Sequence, residues 1–269
     1  MTARRIVLAI DASLPSVEAA RTAAEVAAAL GAELLGVFVE DLNLLRLAAL
    51  PFARELRVPD GAERPLEQAR LEAELRALAA WARAELERAA TAAHVRWSFE
   101  VRRAALPEAV LAAAGESDLL VLGSHGHAAR GRPGSTARAA AARSTRPVLL
   151  HPRGAAGGRG ILLVNDLTPG NERAEAAAGA LGGRLGGVAV LALTADPAGA
   201  SRLAAALQRS GQPPTPVRWA GGATLDHLLS SARELRPALL VLPGASPLLS
   251  GEGLERLIAE APSPVLLVR

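Results

Sequence analysis

Short apolar segments alternate with longer amphipathic segments along most of the chain. The short segments have the length of buried strands, and the longer ones show the 3.6-residue period of helices. In the first half, strands are predicted at 6–10, 34–39, 95–101, 118–122 and 147–150. Helices are predicted at 17–30, 66–90, 106–114 and 135–143, and 41–61 is interpreted as irregular. This alternation predicts an α/β domain that ends near residue 151, with a parallel sheet covered on both faces.

A similar pattern follows the glycine-rich segment 153–159, which has no apolar period and is typical of a linker. Three apolar segments recur, namely 6–11 at 161–166, 119–122 at 239–242 and 147–150 at 264–267. The recurrence predicts a tandem duplication whose second copy is shorter between its second and third strands. The predicted domains are therefore 1–152 and 160–269.

Composition narrows the classes of function. A chain of 269 residues, half of them apolar, is long enough for two ordinary cores. Its 30 basic residues are all arginine and face 27 acidic ones, so the net charge is only +3. Without a dense basic run, and with three Trp and three Phe, nucleic acid is not expected as a partner. The absence of cysteine excludes disulfides, thiol catalysis and thiolate metal sites.

The apolar segments are too short for targeting or membrane insertion. Asp11 ends the first of them far short of a signal peptide, and no uninterrupted run approaches the ~18 residues that span a bilayer. We therefore predict a cytoplasmic protein with no membrane partner.

The main candidate for chemistry is a glycine loop between the fourth predicted strand and the following helix. It begins with Gly123-Ser124-His125-Gly126 and ends with Gly134-Ser135-Thr136. A strand, a glycine loop and a helix start in this order form a phosphate cradle, because backbone N–H groups approach the anion closely. Two alternatives stay open: the glycines serve only the turn, and Asp11 only caps the first helix.

No catalytic residue or metal site is predicted. The chain has no Gly-x-Ser-x-Gly elbow, no lysine for a P-loop and no histidine pair at metal-ligand spacing. The leucines at 42, 44, 45 and 47 are interpreted as packing on the sheet edge or on a neighbouring subunit. A lid over the site is the alternative for these leucines.

Four segments together resemble the universal stress protein family: 6–13, 39–44, the glycine loop, and 146–150. Both halves are covered, so the chain is similar to the tandem, two-domain members. The resemblance implies a Rossmann-like, doubly wound five-stranded parallel sheet in each half. It also implies that the fifth strands, Val148 to Leu150 and Val265 to Leu267, pair within the chain as a pseudo-dimer. Whether such units associate again as a homodimer, and with which protein partner, is left open.

In the nucleotide-binding branch of that family, ATP lies at the ends of the first and fourth strands. The resemblance implies that Asp11 bonds the ribose or base and that Ala9 and Val39 pack against adenine. The residues implied for the loop side of the site are Leu122, Gly123, His125, Gly126, Gly134, Ser135 and Thr136. The implied ligand is ATP or a related adenine nucleotide, with Mg²⁺ as its companion ion.

The glycine loop departs from the family pattern. Seven residues separate Gly126 from Gly134 (134 − 126 − 1), two fewer than the pattern has, which removes ~7 Å of extended chain. Three hypotheses follow: a nucleotide-binding stress-response protein whose ligand biases its association, an interaction protein without a nucleotide, or a weak ATPase. In the second half Pro243 and Ser246 replace the two loop glycines, so no nucleotide is expected there.

Overall fold

The computed structural model describes residues 3–11, 13–56, 61, 63–125, 133–155, 158–166, 170–193, 198–199, 201, 205, 217–220 and 224–269. The strands are β1 Arg5–Ala9, β2 Glu33–Asp41, β3 Arg54–Leu56, β4 Glu63–Pro65, β5 Trp97–Ala104, β6 Leu119–Gly123, β7 Val148–His151, β8 Ile161–Asn165, β9 Val188–Leu193, β10 Val217–Ala220, β11 Leu239–Pro243 and β12 Val265–Val268. The helices are α1 Leu14–Leu30, α2 Leu42–Ala48, α3 Gln68–Ala92, α4 Leu106–Gly115, α5 Ser135–Arg143, α6 Asn171–Leu185, α7 Leu225–Leu235 and α8 Gly253–Glu260, with a 3₁₀ turn at Pro247–Leu249.

Ten of these strands form one sheet, in the order β10-β9-β8-β11-β12-β7-β6-β1-β2-β5. Each half contributes five parallel strands, and both halves have the spatial order third, second, first, fourth, fifth. The α/β class with two doubly wound, five-stranded halves is therefore confirmed. The domain boundaries at 152 and 160 stay a prediction.

The two halves meet at an antiparallel pair of strands, β7 and β12. Leu149 lies opposite Leu266, with Val148 opposite Leu267 and Leu150 opposite Val265. Arg269, directly after β12, extends this junction because its guanidinium donates to the carbonyls of Gly244, at 2.9 Å, and of Ala141 in the first half. The pseudo-dimer predicted from the resemblance is thus present within one chain.

Helices cover both faces of the sheet because successive strand residues point to opposite sides. Leu8 and Phe38 belong to the core under α1, α3 and α6, which we call the α1 face. Val7 and Val37 belong to the core under α4, α5, α7 and α8, which we call the α4 face. Alanines dominate the buried side of α1 and α6, so these two helices approach each other closely across the junction.

The segment after β2 is more ordered than its sequence predicted. It contains α2, whose N-cap Asp41 accepts a hydrogen bond from the Asn43 amide at 2.9 Å, and the antiparallel pair β3–β4. Pro65 ends β4, so the following helix begins at Gln68 and not at Leu66. Along the chain as described here, none of the helices combines the length and apolar character needed to cross a membrane.

Candidate functional site

A cavity of about 950 Å³ opens at the carboxyl ends of β1, β2 and β6. These strands flank the topological switch point of the first half, because the chain leaves β1 for β2 on one side and later returns as β6 on the other. Ligands of open α/β sheets bind in the crevice outside such a point. The remaining walls come from α2, α3, α4 and the start of α5.

Eight of the ten site residues predicted from the sequence line this cavity: Ala9, Asp11, Val39, Leu122, Gly123, Gly134, Ser135 and Thr136. They come from three strands and one helix that are far apart in sequence. The fold therefore brings both ends of the glycine loop, the first-strand carboxylate and the apolar strand ends to a common space.

Hydrogen bonds hold the two ends of the shortened glycine loop together. The Gly134 amide donates to the Ser124 carbonyl at 2.9 Å, and the Ser124 amide donates to the His151 carbonyl at 2.8 Å. These bonds hold the start of α5 beside the end of β6 despite the two missing residues. Because the N-cap residue Gly134 has no side chain, it leaves the first amides of α5 uncapped. Gly126, predicted as a site residue, lies outside the described residues.

Asp11 is held in place at the end of β1. Its Oδ1 accepts a hydrogen bond from the Ser13 amide at 3.0 Å, and its own amide donates to Ser16 Oγ at 3.0 Å. The carboxylate therefore organises the turn that leads to Ser13, the N-cap residue of α1, and it also lines the cavity. The two roles are compatible because the bond to Ser13 uses one of its two oxygens.

His125 is not among the residues that line the cavity, and its place beside a nucleotide stays a prediction. Its side chain is buried, and its Nδ1 lies 2.7 Å from the hydroxyl of the equally buried Ser124. Ser13 Oγ donates to its backbone carbonyl at 3.3 Å. Burial lowers the pKa of His125 below its usual range, and the positive charge of Arg153 acts in the same direction. The hydrogen bond between the His125 and Ser124 side chains thus lies in the protein interior.

Several lining residues were not predicted. Phe38 lines the cavity from the α1 face, and Leu71, Leu75 and Leu78 line it from α3. The i, i+4, i+7 spacing of these leucines predicts an apolar helix face, but it does not distinguish a packed face from a cavity wall. Leu44 also lines the cavity and is 38% exposed, whereas Leu45 of the same leucine cluster is buried in the core of the α1 face.

The charged side chains of the lining are all carboxylates: Asp11, Asp41 and Glu74. Among the described residues no arginine lines the cavity, and the start of α5 contributes the hydroxyls of Ser135 and Thr136 to its lining. Over the same residues, no cluster of three or more histidine, aspartate or glutamate side chains is arranged to hold a metal ion.

At the corresponding place in the second half, the carboxylate takes part in internal hydrogen bonds. Asp166, at the position of Asp11, accepts from the Ser246 hydroxyl and, at 3.0 Å, from Asn171 Nδ2. Pro243 ends β11 at the position of Gly123. Both oxygens of the Asp166 carboxylate are thus engaged by the protein itself.

Comparison with known proteins agrees with this architecture. Similar folds include a universal stress protein from Archaeoglobus fulgidus DSM 4304, with a TM-score of 0.69 and 16% identity over 98% of both chains. Another is a putative universal stress protein from Pseudomonas aeruginosa UCBPP-PA14, with a TM-score of 0.61 and 16% identity over 99% of this chain and 93% of that one. At this identity the likeness concerns the fold.

A search of curated proteins found no match. The model of the universal stress protein family matches residues 2–152, which contain the cavity and the glycine loop. Because this match covers more than half of the sequence, the chain belongs to the universal stress protein family.

Proposed function

We propose that the first half binds ATP or a related adenine nucleotide at the carboxyl ends of β1 and β6. The observation that carries this proposal is the bond from the Gly134 amide to the Ser124 carbonyl. It keeps Ser135 and Thr136 on the same cavity as Asp11 and Gly123, although the loop is short. A shortened loop is therefore compatible with a phosphate-binding site.

In this proposal the base, the ribose and the phosphates each contact a different group of lining residues. The base packs between Ala9 and Val39, which present apolar side chains on the α4 face. Asp11 accepts hydrogen bonds from ribose hydroxyls or from the base. The phosphates meet Gly123 and the uncapped start of α5, where N–H groups and the helix dipole favour an anion.

We include Mg²⁺ in the proposal because the cavity wall is acidic. A triphosphate without a cation would be repelled by the three carboxylates that line the cavity. A magnesium ion bound by the phosphates offsets that charge and keeps several of its waters. We therefore expect the affinity for ATP to fall when Mg²⁺ is chelated.

The biological role that we propose is signalling in the stress response, in which nucleotide occupancy biases association with a partner. Leu44 supports this role because it lines the cavity and is also exposed, so a bound ligand alters a surface that a partner can meet. The cytoplasmic location predicted from the sequence is part of the same proposal. The sedimentation coefficient of the protein, measured at several concentrations with and without ATP, tests whether the nucleotide changes its association.

Calorimetric titration with ATP, ADP and adenosine in the presence of Mg²⁺ tests nucleotide binding. Asp11→Ala should weaken ATP and adenosine alike by about tenfold, because the carboxylate serves the nucleoside. Thr136→Val keeps the side-chain shape and should weaken ATP while leaving adenosine unchanged, because its hydroxyl serves the phosphates. Absence of saturable binding at millimolar ATP would refute the proposal and favour an interaction protein without a nucleotide.

A further inference from the structure

The cavity continues on the α1 face of the sheet, away from the proposed position of adenine. Val37 and Val39 line it on the α4 face, whereas Phe38, between them in β2, lines it on the α1 face. We call this second part the apolar compartment; its walls are Ile10, Phe38, Leu44, Leu71, Leu75 and Leu78.

The apolar compartment is lined by hydrocarbon side chains that are nearly withdrawn from solvent. Phe38 is 3% exposed, and Leu71 and Leu75 are 8% exposed each. The α3 leucines stand on one face of the helix and belong to the same apolar core as Phe38. Walls of this kind favour an aliphatic chain over a polar ligand, because the chain leaves water without losing hydrogen bonds.

The volume of the cavity suits a small-molecule ligand. Sites for a single small molecule typically occupy about 300–1,000 Å³, and the cavity as a whole, with about 950 Å³, lies at the upper end of that range. The entrance is also suited to an amphiphile. Leu44 is 38% exposed there and also lines the cavity, so one apolar side chain reaches from the surface into the apolar compartment.

The charges of the cavity wall restrict the head group. Asp41 and Glu74 line the cavity, as Asp11 does, and in the described part of the chain no arginine faces them from the cavity wall. A carboxylate or phosphate head would be repelled, whereas an ammonium group would be attracted and a hydroxyl would be free to donate hydrogen bonds.

We propose that the apolar compartment binds the hydrocarbon chain of a single-chain amphiphile with a neutral or cationic head group. The chain lies among Phe38, Leu71 and Leu75, and the head group lies at Asp41 and Glu74 near the entrance. This inference does not require a bound nucleotide, so it stands or falls separately from ATP binding.

Displacement of the uncharged dye N-phenyl-1-naphthylamine from the nucleotide-free protein tests the proposal. We expect saturable binding of one dye per chain, and competition by octylamine, decylamine and dodecylamine whose affinity rises about fourfold per added methylene. Dodecanol should compete as well, whereas dodecanoate should compete at least about tenfold more weakly than dodecylamine.

Two filling variants and one matched control locate the binding. Leu75→Trp and, with a smaller risk to folding, Leu78→Trp should weaken dye binding by about tenfold or more, because the ring occupies the apolar compartment. Leu47→Ser removes an exposed leucine outside the cavity and should leave dye binding unchanged.

Four results would overturn the proposal: no saturable dye binding, loss of binding in Leu47→Ser with retention in both tryptophan variants, dodecanoate as the best competitor, or an affinity independent of chain length. A separate ATP titration of each variant shows whether a failure belongs to the apolar compartment or to the nucleotide site.

Discussion

The Ser246 hydroxyl donates a hydrogen bond to the Asp166 carboxylate, whose other oxygen accepts from Asn171. Asp11 occupies the equivalent position in the first half, where it lines a large cavity and one of its oxygens accepts from the Ser13 amide. The same strand end thus lines a cavity in the first half, whereas in the second half both carboxylate oxygens bond within the protein.

This difference predicts one nucleotide per chain. Asp166→Ala should leave the ATP dissociation constant unchanged, because both Asp166 oxygens already bond within the protein. Asp11→Ala, its matched counterpart, should weaken ATP about tenfold. Calorimetry gives the stoichiometry and the affinity together. Two equivalent sites, or equal effects of the two substitutions, would contradict the prediction.

Folding stability should fall between pH 7.5 and 5 because of His151. Burial lowers the pKa of His151 to about 4, from an ordinary value of 6.5. Above pH 6.5 the histidine is neutral in both states. As the pH falls toward 4, the unfolded chain takes up the proton first, so the folded state loses stability until the folded histidine also titrates.

For His151 alone the loss at pH 5 is about 2 kcal/mol. Urea unfolding of the wild type and of His151→Gln at the two pH values measures it. The variant should lose less stability on acidification, although the buried His125 still contributes in the same direction. An equal loss in both proteins would show that His151 is not responsible.

Gly36 of β2 should tolerate no side chain. A methyl group there would lie 2.9 Å from Phe99 Cδ2 and still closer to the fully buried Leu86 side chain. We expect Gly36→Ala to destabilise the protein by about 1–3 kcal/mol through overpacking.

Gly115→Ala, at the end of α4, is the matched control for Gly36→Ala. A methyl group at Gly115 meets nothing within 4 Å, so the substitution should be neutral or stabilise by up to about 1 kcal/mol. Thermal unfolding of the two variants separates the cases. A stable Gly36→Ala protein would show that α3 can move away from the sheet.

Arg269 should contribute more to stability than an exposed arginine of the same half. It bonds backbone carbonyls of both halves, so Arg269→Ala leaves Ala141 and Gly244 without these donors. The expected loss is about 1–3 kcal/mol. Arg256→Ala, which breaks exposed ion pairs with Asp226 and Glu260, should have little effect. The reverse order in urea unfolding would contradict the role assigned to Arg269.

The sequence predicts the fold well because strand and helix periods are local and recur after the linker. The pairing of β7 with β12 follows only from the family resemblance, since two apolar strand segments do not specify each other. The helix α2 and the pair β3–β4 were missed because elements of this length leave almost no period.

The sequence predicted some residues of the candidate site and missed others. Residues carried by a motif, such as Asp11 and Ser135, line the cavity, and their roles toward a nucleotide stay predictions. His125 is buried against Ser124 instead, a contact that the loop sequence alone does not predict. The apolar compartment was missed because the spacing of the α3 leucines reveals an apolar face but not the space in front of it.

The antiparallel pair of β7 and β12 has a consequence for regulation. Since both strands belong to one polypeptide, each half meets the other at a high and fixed effective concentration, and dilution does not separate them. We therefore expect ligand binding to have little effect on the contact between β7 and β12. Any assembly that depends on protein concentration has to use a different surface, such as the outer edges formed by β5 and β10.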